Sequence, residues 1–164
     1  KLKGAKVIVG ARNPMKLELA KDFAKVDKIV DLNKNSDYRK AFIDFSAEKK
    51  GLDVVVDCVG LPEIWEELPN CARRGGTVML FGGCKSGAKA TFDTKRLHYD
   101  EIKLISAFHH TPKYFRMALE YIASGEVEVE KLITDTLPLE KVEYAMQQHI
   151  DGKAIKFLIK PNEN

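Results

Sequence analysis

No stretch of this sequence approaches the roughly twenty consecutive apolar residues that a bilayer-spanning helix requires. The charged start, with Lys1, Lys3 and Lys6, is not followed by a secretory apolar segment, so the expectation is a chain with no membrane partner and no export signal, resident in the cytoplasm. Cysteine is scarce. Cys58, Cys71 and Cys84 are odd in number and too widely spaced for a CxxC clip, which speaks against a disulfide framework and against a structural zinc site. All three are expected to act as small buried hydrophobes. Blocks of like charge are lacking as well: the 27 Lys and Arg against 24 Asp and Glu leave a net +3 spread along the chain, with no basic patch for nucleic acid or an anionic membrane. There is no internal repeat, no low-complexity stretch and no long linker beyond the polar loop 82–90. With 45% apolar and 31% charged residues over 164 positions, the balance is that of one ordinary globular domain with enough chain for a single buried core.

What is present is an alternation of short β-rich apolar runs with longer segments whose apolar residues recur at helical spacing, the pattern of a parallel α/β sheet. Strands are expected at 5–11, 28–32, 52–58, 77–81, 102–108 and 154–160, and helices at 14–24, 37–50, 62–73, 112–124 and 139–149. The runs Val54-Val55-Val56 and Val78-Met79-Leu80 are apolar at every position, as strands covered on both faces are. Asn13-Pro14 and Thr111-Pro112 each offer a capping side chain followed by proline at the first helical position. Ser36 is the expected cap of the second helix and Gly51 its left-handed end. Gly125 closes the helix at 112–124, and Gly75-Gly76 is expected to turn the chain into the strand at 77–81.

The first cluster that speaks to chemistry is Val7-Ile8-Val9-Gly10-Ala11-Arg12-Asn13-Pro14, a strand that ends in small residues and an arginine before a helix. In doubly wound folds such a strand end reads the adenosine ribose of a dinucleotide. An acidic residue there accepts hydrogen bonds from the ribose hydroxyls and repels a 2′-phosphate. Here the position falls on Gly10 or Ala11, and the Arg12 that follows carries a planar guanidinium suited to phosphate. The pattern favours NADP, with NAD second; the competing reading is a solvated arginine in a loop.

Taken in order, several stretches resemble the zinc-type medium-chain alcohol and polyol dehydrogenases. Gly4-Ala5-Lys6-Val7-Ile8-Val9 through Leu17-Glu18-Leu19-Ala20-Lys21 is similar to the second strand and following helix of that family's coenzyme domain. Leu52-Asp53-Val54-Val55-Val56-Asp57-Cys58-Val59-Gly60 is similar to its fourth strand, and Arg73-Arg74-Gly75-Gly76-Thr77-Val78-Met79-Leu80-Phe81-Gly82 to its fifth. Phe108-His109-His110-Thr111-Pro112-Lys113-Tyr114-Phe115, with Ala118-Leu119 and Ile122-Ala123-Ser124-Gly125, resembles the polyol-type and threonine-type branch. The resemblance implies a Rossmann-like, doubly wound parallel sheet in which Gly10, Ala11 and Arg12 surround the adenosine ribose. It implies that Cys58, Val59 and Gly60 lie along the coenzyme, that Phe81, Gly82 and Gly83 approach the nicotinamide end, and that Phe108 and His109 stand beside the nicotinamide. A polar loop pair is the alternative for His109 and His110, and a core aromatic for Phe108; His98 and His149 read as surface residues.

Two family features have no counterpart here. No motif matches the cysteine, histidine and acidic ligands of the catalytic zinc, so the resemblance covers only the coenzyme-binding part. It implies no hydride transfer without a zinc-bearing domain, because no Lewis acid would stabilise the alkoxide. The family's first strand and its GxGxxG turn, which presents N–H groups to the pyrophosphate, would precede Lys1. Without that strand the order 3-2-1-4-5-6 becomes 3-2 facing 4-5-6. Either another polypeptide carries the strand together with the zinc domain, or the sheet closes up as a flavodoxin-like 2-1-3-4-5; an open apolar gap is the outcome not expected. Three functional readings follow: the coenzyme-binding portion of an alcohol or polyol dehydrogenase, a stand-alone α/β nucleotide-binding module without catalysis, or an assembly element. In the last, strand 102–108, apolar and free of proline, pairs with its symmetry mate in a homo-oligomer. Residues 133–164 are expected to pack back toward the catalytic domain, and the implied substrate is a secondary alcohol, polyol or hydroxy amino acid.

Overall fold

The computed structural model describes residues 1–161. In chain order the elements are β1 (Ile8–Ala11), α1 (Pro14–Asp22), β2 (Lys28–Asp31), α2 (Tyr38–Phe45), β3 (Leu52–Asp57), α3 (Pro62–Glu67), β4 (Ala72–Leu80), α4 (Thr94–His98), β5 (Lys103–Ser106), α5 (Pro112–Ala123), β6 (Ile133–Pro138), α6 (Val142–Ile150) and β7 (Lys156–Lys160). They form two compact units, one holding residues 8–12 and 28–109, the other residues 1–7, 13–27 and those from 110 onward. The last three residues of the predicted segment 133–164 lie outside the described residues.

Local chemistry sets most element boundaries. The Asn13 side chain caps α1, accepting from the N–H groups of Met15 (3.0 Å) and Lys16 (3.4 Å), with Pro14 at the first helical position. The cap of α2 is Asp37 rather than Ser36: its carboxylate accepts from Lys40 N at 3.0 Å. That helix stops at Phe45, well short of the predicted end, because the Ser46 hydroxyl donates to Ile43 O (2.7 Å) and accepts from Gly51 N (2.9 Å), folding the chain back on itself. Thr111 makes no side-chain cap bond to α5. Helix α3 gives way at Leu68 to a 3-10 turn through Cys71, where Pro69 has no N–H with which to continue an α-helix. Gly75-Gly76 is not a turn before a strand but a bulge inside β4. The partner of β3 jumps from Ala72 opposite Leu52 to Thr77 opposite Val54, and Gly75 takes the positive φ of 68° that such a bulge needs.

In the unit built from 8–12 and 28–109, β1 and β2 pair in parallel, and β3, β4 and β5 form a separate parallel sheet in that order. Its core is Val55, Leu68, Cys71, Ala72, Val78 and Ile102, with Phe42, Leu80 and Leu104 packed on it. Fully buried Val78 alone removes enough apolar surface from water to contribute roughly 1.5–3 kcal/mol. The Asp100 carboxylate, accepting from Arg74 Nε (2.8 Å) and Arg96, ties α4 to the start of β4, and Arg96 also donates to Pro69 O and Ala72 O.

The flavodoxin-like closure does not form: among the described residues β1 pairs only with β2, and β3 only with β4. Phe42 of α2 packs on the core of the three-stranded sheet and also presses on β1, leaving only 2.7 Å between its Cζ and any Cβ at Gly10. Nor is β3 covered on both faces. Val55 and Asp57 are buried, while Val54 and Val56 remain 57% and 52% exposed, so one face of the strand is an open apolar surface of the kind that was not expected.

In the other unit Asp27 pins the N-terminal segment, accepting from Lys1 Nζ and Val7 N, and Asn13 Nδ2 donates to Gly152 O at 3.0 Å. A parallel pair of β6 and β7 was not expected from the sequence, which marked only 154–160 as strand. Among the described residues no helix is long and apolar enough to cross a membrane.

Candidate functional site

The parallel order of β3, β4 and β5 brings their carboxyl ends together, with Asp57 opposite Leu80 and Leu80 opposite Ser106. The segments 58–60, 81–83 and 107–109 therefore leave the sheet side by side, at the edge where open α/β sheets bind their ligands. Three large apolar side chains stand in solvent there: Val59 is 64% exposed, Phe81 63% and Phe108 83%. Phe108 is thus no core aromatic. Its ring lies 3.9 Å from that of His109, whose φ of 60° is the left-handed conformation that non-glycine residues seldom adopt.

Beneath this row the first two turns interlock. Asp57, 2% exposed, accepts from Val59 N (2.9 Å) on Oδ1 and from Gly60 N (3.0 Å) and Trp65 Nε1 (2.9 Å) on Oδ2. Its backbone carbonyl accepts from Phe81 N and Gly82 N. Gly60 has φ +76°, and a Cβ on it would lie 2.3 Å from Gly83 O; a Cβ on Gly82 would lie 2.5 Å from Gly60 N and 2.6 Å from Asp57 Oδ2. A Cβ on Gly83, by contrast, would meet nothing within 4 Å. Gly60 and Gly82 are required by the close approach of two turns, whereas Gly83 borders open space.

The cysteines divide by burial. Cys71 is buried and its thiol is pushed up to about 11, chiefly by burial. Cys58 is exposed, contrary to the expectation of a buried hydrophobe, and Cys84 is half-buried. Partial desolvation, with Asp57 adding repulsion, raises the Cys58 thiol, so neither Cys58 nor Cys71 carries the depressed value of an activated nucleophile.

A second cluster forms at the end of β1. Gly10 and Ala11 lie in the strand, and Gly10 has no room for a side chain against Phe42 and Leu32. Arg12 is exposed; its carbonyl accepts from Asn33 Nδ2 at 2.7 Å, and Asn33 N donates to Asp31. The charges of Arg12 and Arg39 favour the ionised form of the partly buried Tyr38, against the larger upward pull of burial. The same helix α2 lines a shallow cleft of about 280 Å³ with Arg39, Lys40 and Ile43, bordered by Asp37. The structure brings 58–60, 81–83 and 108–109 to one sheet edge, and 10–12 to the end of the β1-β2 pair.

Among the described residues no group of three or more His, Cys, Asp or Glu is placed to hold a metal ion, so the donor set does not fit a catalytic zinc. Sequence reasoning missed Asp57, Trp65, Asn33 and Phe42. A signal existed for Asp57 alone: a carboxylate directly after the apolar run Val54-Val55-Val56 must find donors if buried.

A family model described as zinc-binding dehydrogenase matches residues 1–124. D-arabinitol dehydrogenase 1 of Uromyces fabae is 27% identical over 164 residues, covering 99% of this chain and 46% of its own length. S-(hydroxymethyl)glutathione dehydrogenase of Haemophilus influenzae is 28% identical over 162 residues, covering 96% and 42%. Among solved structures, a zinc-binding dehydrogenase of Sinorhizobium meliloti bound to NADP superposes with a TM-score of 0.85 at 24% identity, over 96% of this chain and 45% of that one; at that identity the likeness is one of fold. The chain spans less than half the length of these proteins.

Proposed function

Because the chain belongs to the zinc-binding dehydrogenase family, we propose that it is the coenzyme-binding portion of an NAD(P)-dependent alcohol or polyol dehydrogenase. The observation that carries this reading is the row of exposed Val59, Phe81 and Phe108 beside the open Gly83, at the carboxyl ends of three adjacent parallel strands. An apolar surface there suits the nicotinamide half of a dinucleotide. In this reading Cys58, Val59 and Gly60 lie along the coenzyme, Gly82 and Gly83 admit it closely, and Phe108 and His109 flank the nicotinamide.

Gly10, Ala11 and Arg12 receive the adenosine ribose. With no carboxylate at 10–12 and a solvent-facing guanidinium at Arg12, the preferred coenzyme is NADP, and NAD is second. Proteins of this fold are solved with either coenzyme, NADP in the Sinorhizobium protein and NADH in one from Escherichia coli, so the choice of NADP rests on Arg12.

Zinc chemistry belongs to residues outside this chain, on a zinc-bearing catalytic domain, and the chain by itself transfers no hydride. The separate β1-β2 and β3-β4-β5 sheets support the arrival of a further strand from that source, and the bare Val54 and Val56 support a further element covering that face. Residues 133–164 pack toward it, and the exposed edge of β5 pairs with a second copy.

The test is a titration of the protein with NADPH and NADH, with and without a co-expressed zinc-bearing domain, repeated on Arg12→Ala. Losing one charge-assisted phosphate contact should weaken NADPH roughly ten- to hundredfold and leave NADH unchanged. Equal affinities for NADPH in the variant and the parent overturn the 2′-phosphate assignment, and no binding of either coenzyme under any condition overturns the coenzyme reading.

A further inference from the structure

Asp57 is the most deeply buried carboxylate described, at 2% exposure, and no Lys or Arg pairs with it. Its three side-chain acceptor bonds go to Val59 N, Gly60 N and Trp65 Nε1. A buried carboxylate that gathers neutral donors is costly to leave unsatisfied, so its position is dictated by the donors and theirs by it. Two of those donors are consecutive amides of the turn that carries Val59, and the third anchors α3 below. The Asp57 carbonyl meanwhile holds Phe81 N and Gly82 N. One residue thereby sets both turns from which two of the three exposed apolar side chains project.

Resting on the coenzyme reading above, we propose that Asp57 is a positioning residue for the nicotinamide half of the coenzyme. It touches no ligand. Its carboxylate holds the 58–60 turn against Gly82 and Gly83, in the one conformation that leaves Val59 and Phe81 facing outward and the space at Gly83 open. Asparagine at this position would turn an NH2 group toward N–H donors: it would forfeit either the Val59 bond or both the Gly60 and Trp65 bonds, at nearly constant volume. Phenylalanine at Trp65 removes one bond and leaves both turn amides held.

Two ligands separate positioning from general stability. NADPH needs both ends of the site, whereas adenosine 2′,5′-bisphosphate needs only the end at Arg12. Asp57→Asn should weaken NADPH about tenfold or more while changing adenosine 2′,5′-bisphosphate by less than about twofold, and Trp65→Phe should leave both within about threefold. Equal losses for the two ligands, or none, overturn the proposal. Should Asp57→Asn not fold, the unaltered protein still decides. Trp65 is the chain's single tryptophan, so its emission reports on this carboxylate directly. NADPH, and not adenosine 2′,5′-bisphosphate, should shift that emission and slow amide exchange at Val59 and Gly60; identical responses to both ligands overturn the proposal. Failure of the unaltered protein to bind either ligand would instead remove the coenzyme reading on which the assignment rests.

Discussion

Alanine at Gly82 would place a methyl carbon 2.5 Å from Gly60 N, 2.6 Å from Asp57 Oδ2 and 2.7 Å from Val59 N. Ordinary van der Waals contact begins near 3.4 Å, and two of these three atoms are backbone, so no side-chain rotation relieves the overlap. Either the 58–60 turn moves or β4 does, and overpacking of this kind costs about 1–3 kcal/mol. For a chain of this size each kcal/mol lowers the melting temperature by roughly 2–4 °C, which gives a drop of roughly 2–12 °C. The adjacent Gly83 is the control, because a Cβ there meets nothing within 4 Å and neither glycine is among those with positive φ. Gly83→Ala should therefore stay within about 0.5 kcal/mol of the parent and still impede coenzyme by filling the open space. Thermal melts followed by circular dichroism compare the two directly. If both variants melt within about one degree of each other, the interlock of the two turns is not what excludes a side chain at Gly82.

Three further outcomes follow from the packing. Hydrogen bonds from Arg74 and Arg96 hold the Asp100 carboxyl below the usual carboxylate range; a depressed folded value stabilises above the unfolded value near about 4 and is lost as pH falls through the folded one. Asp100→Asn should lower the melting temperature at pH 7, with the difference shrinking in melts at progressively lower pH below about 4; a pH-independent difference would refute the assignment. Iodoacetamide in native buffer should modify exposed Cys58 slowly and leave buried Cys71 untouched until denaturant is added, as peptide mass mapping would reveal; equal rates would contradict the burial. Ile105→Lys, on the outer strand β5 where Ile105 is 45% exposed, should convert an oligomer to a smaller species by light scattering, and an unchanged mass would rule out that edge as the interface.

Much of the architecture was legible because it is local. Short β-rich apolar runs marked β1 to β5 and β7, and proline after a polar residue marked the starts of α1 and α5. The cap and the end of α2 were misplaced by local competition among Asp37, Ser46 and Gly51, whereas other errors involve partners distant in sequence. The Gly75-Gly76 pair reads as a turn until β3 lies alongside and makes it a bulge. Strand β6, Ile133–Pro138, has three polar or charged residues in its middle, Thr134, Asp135 and Thr136, and becomes a strand only by pairing with β7.

The candidate site divides in the same way. Residue type and order alone determined that a strand runs into Gly10, Ala11 and Arg12 without a carboxylate and that glycines recur at 60, 82 and 83. Tertiary structure decided which glycines are compelled by contact and which border open space, and turned Val59, Phe81 and Phe108 into one exposed row. It also gave the buried Asp57 its donors and left β1 and β3 unpaired with each other. Periodicity reports whether a residue faces a core, but strand pairing and the meeting of two turns depend on segments more than twenty residues apart, such as Gly60 against Gly82, and only the folded chain brings those together.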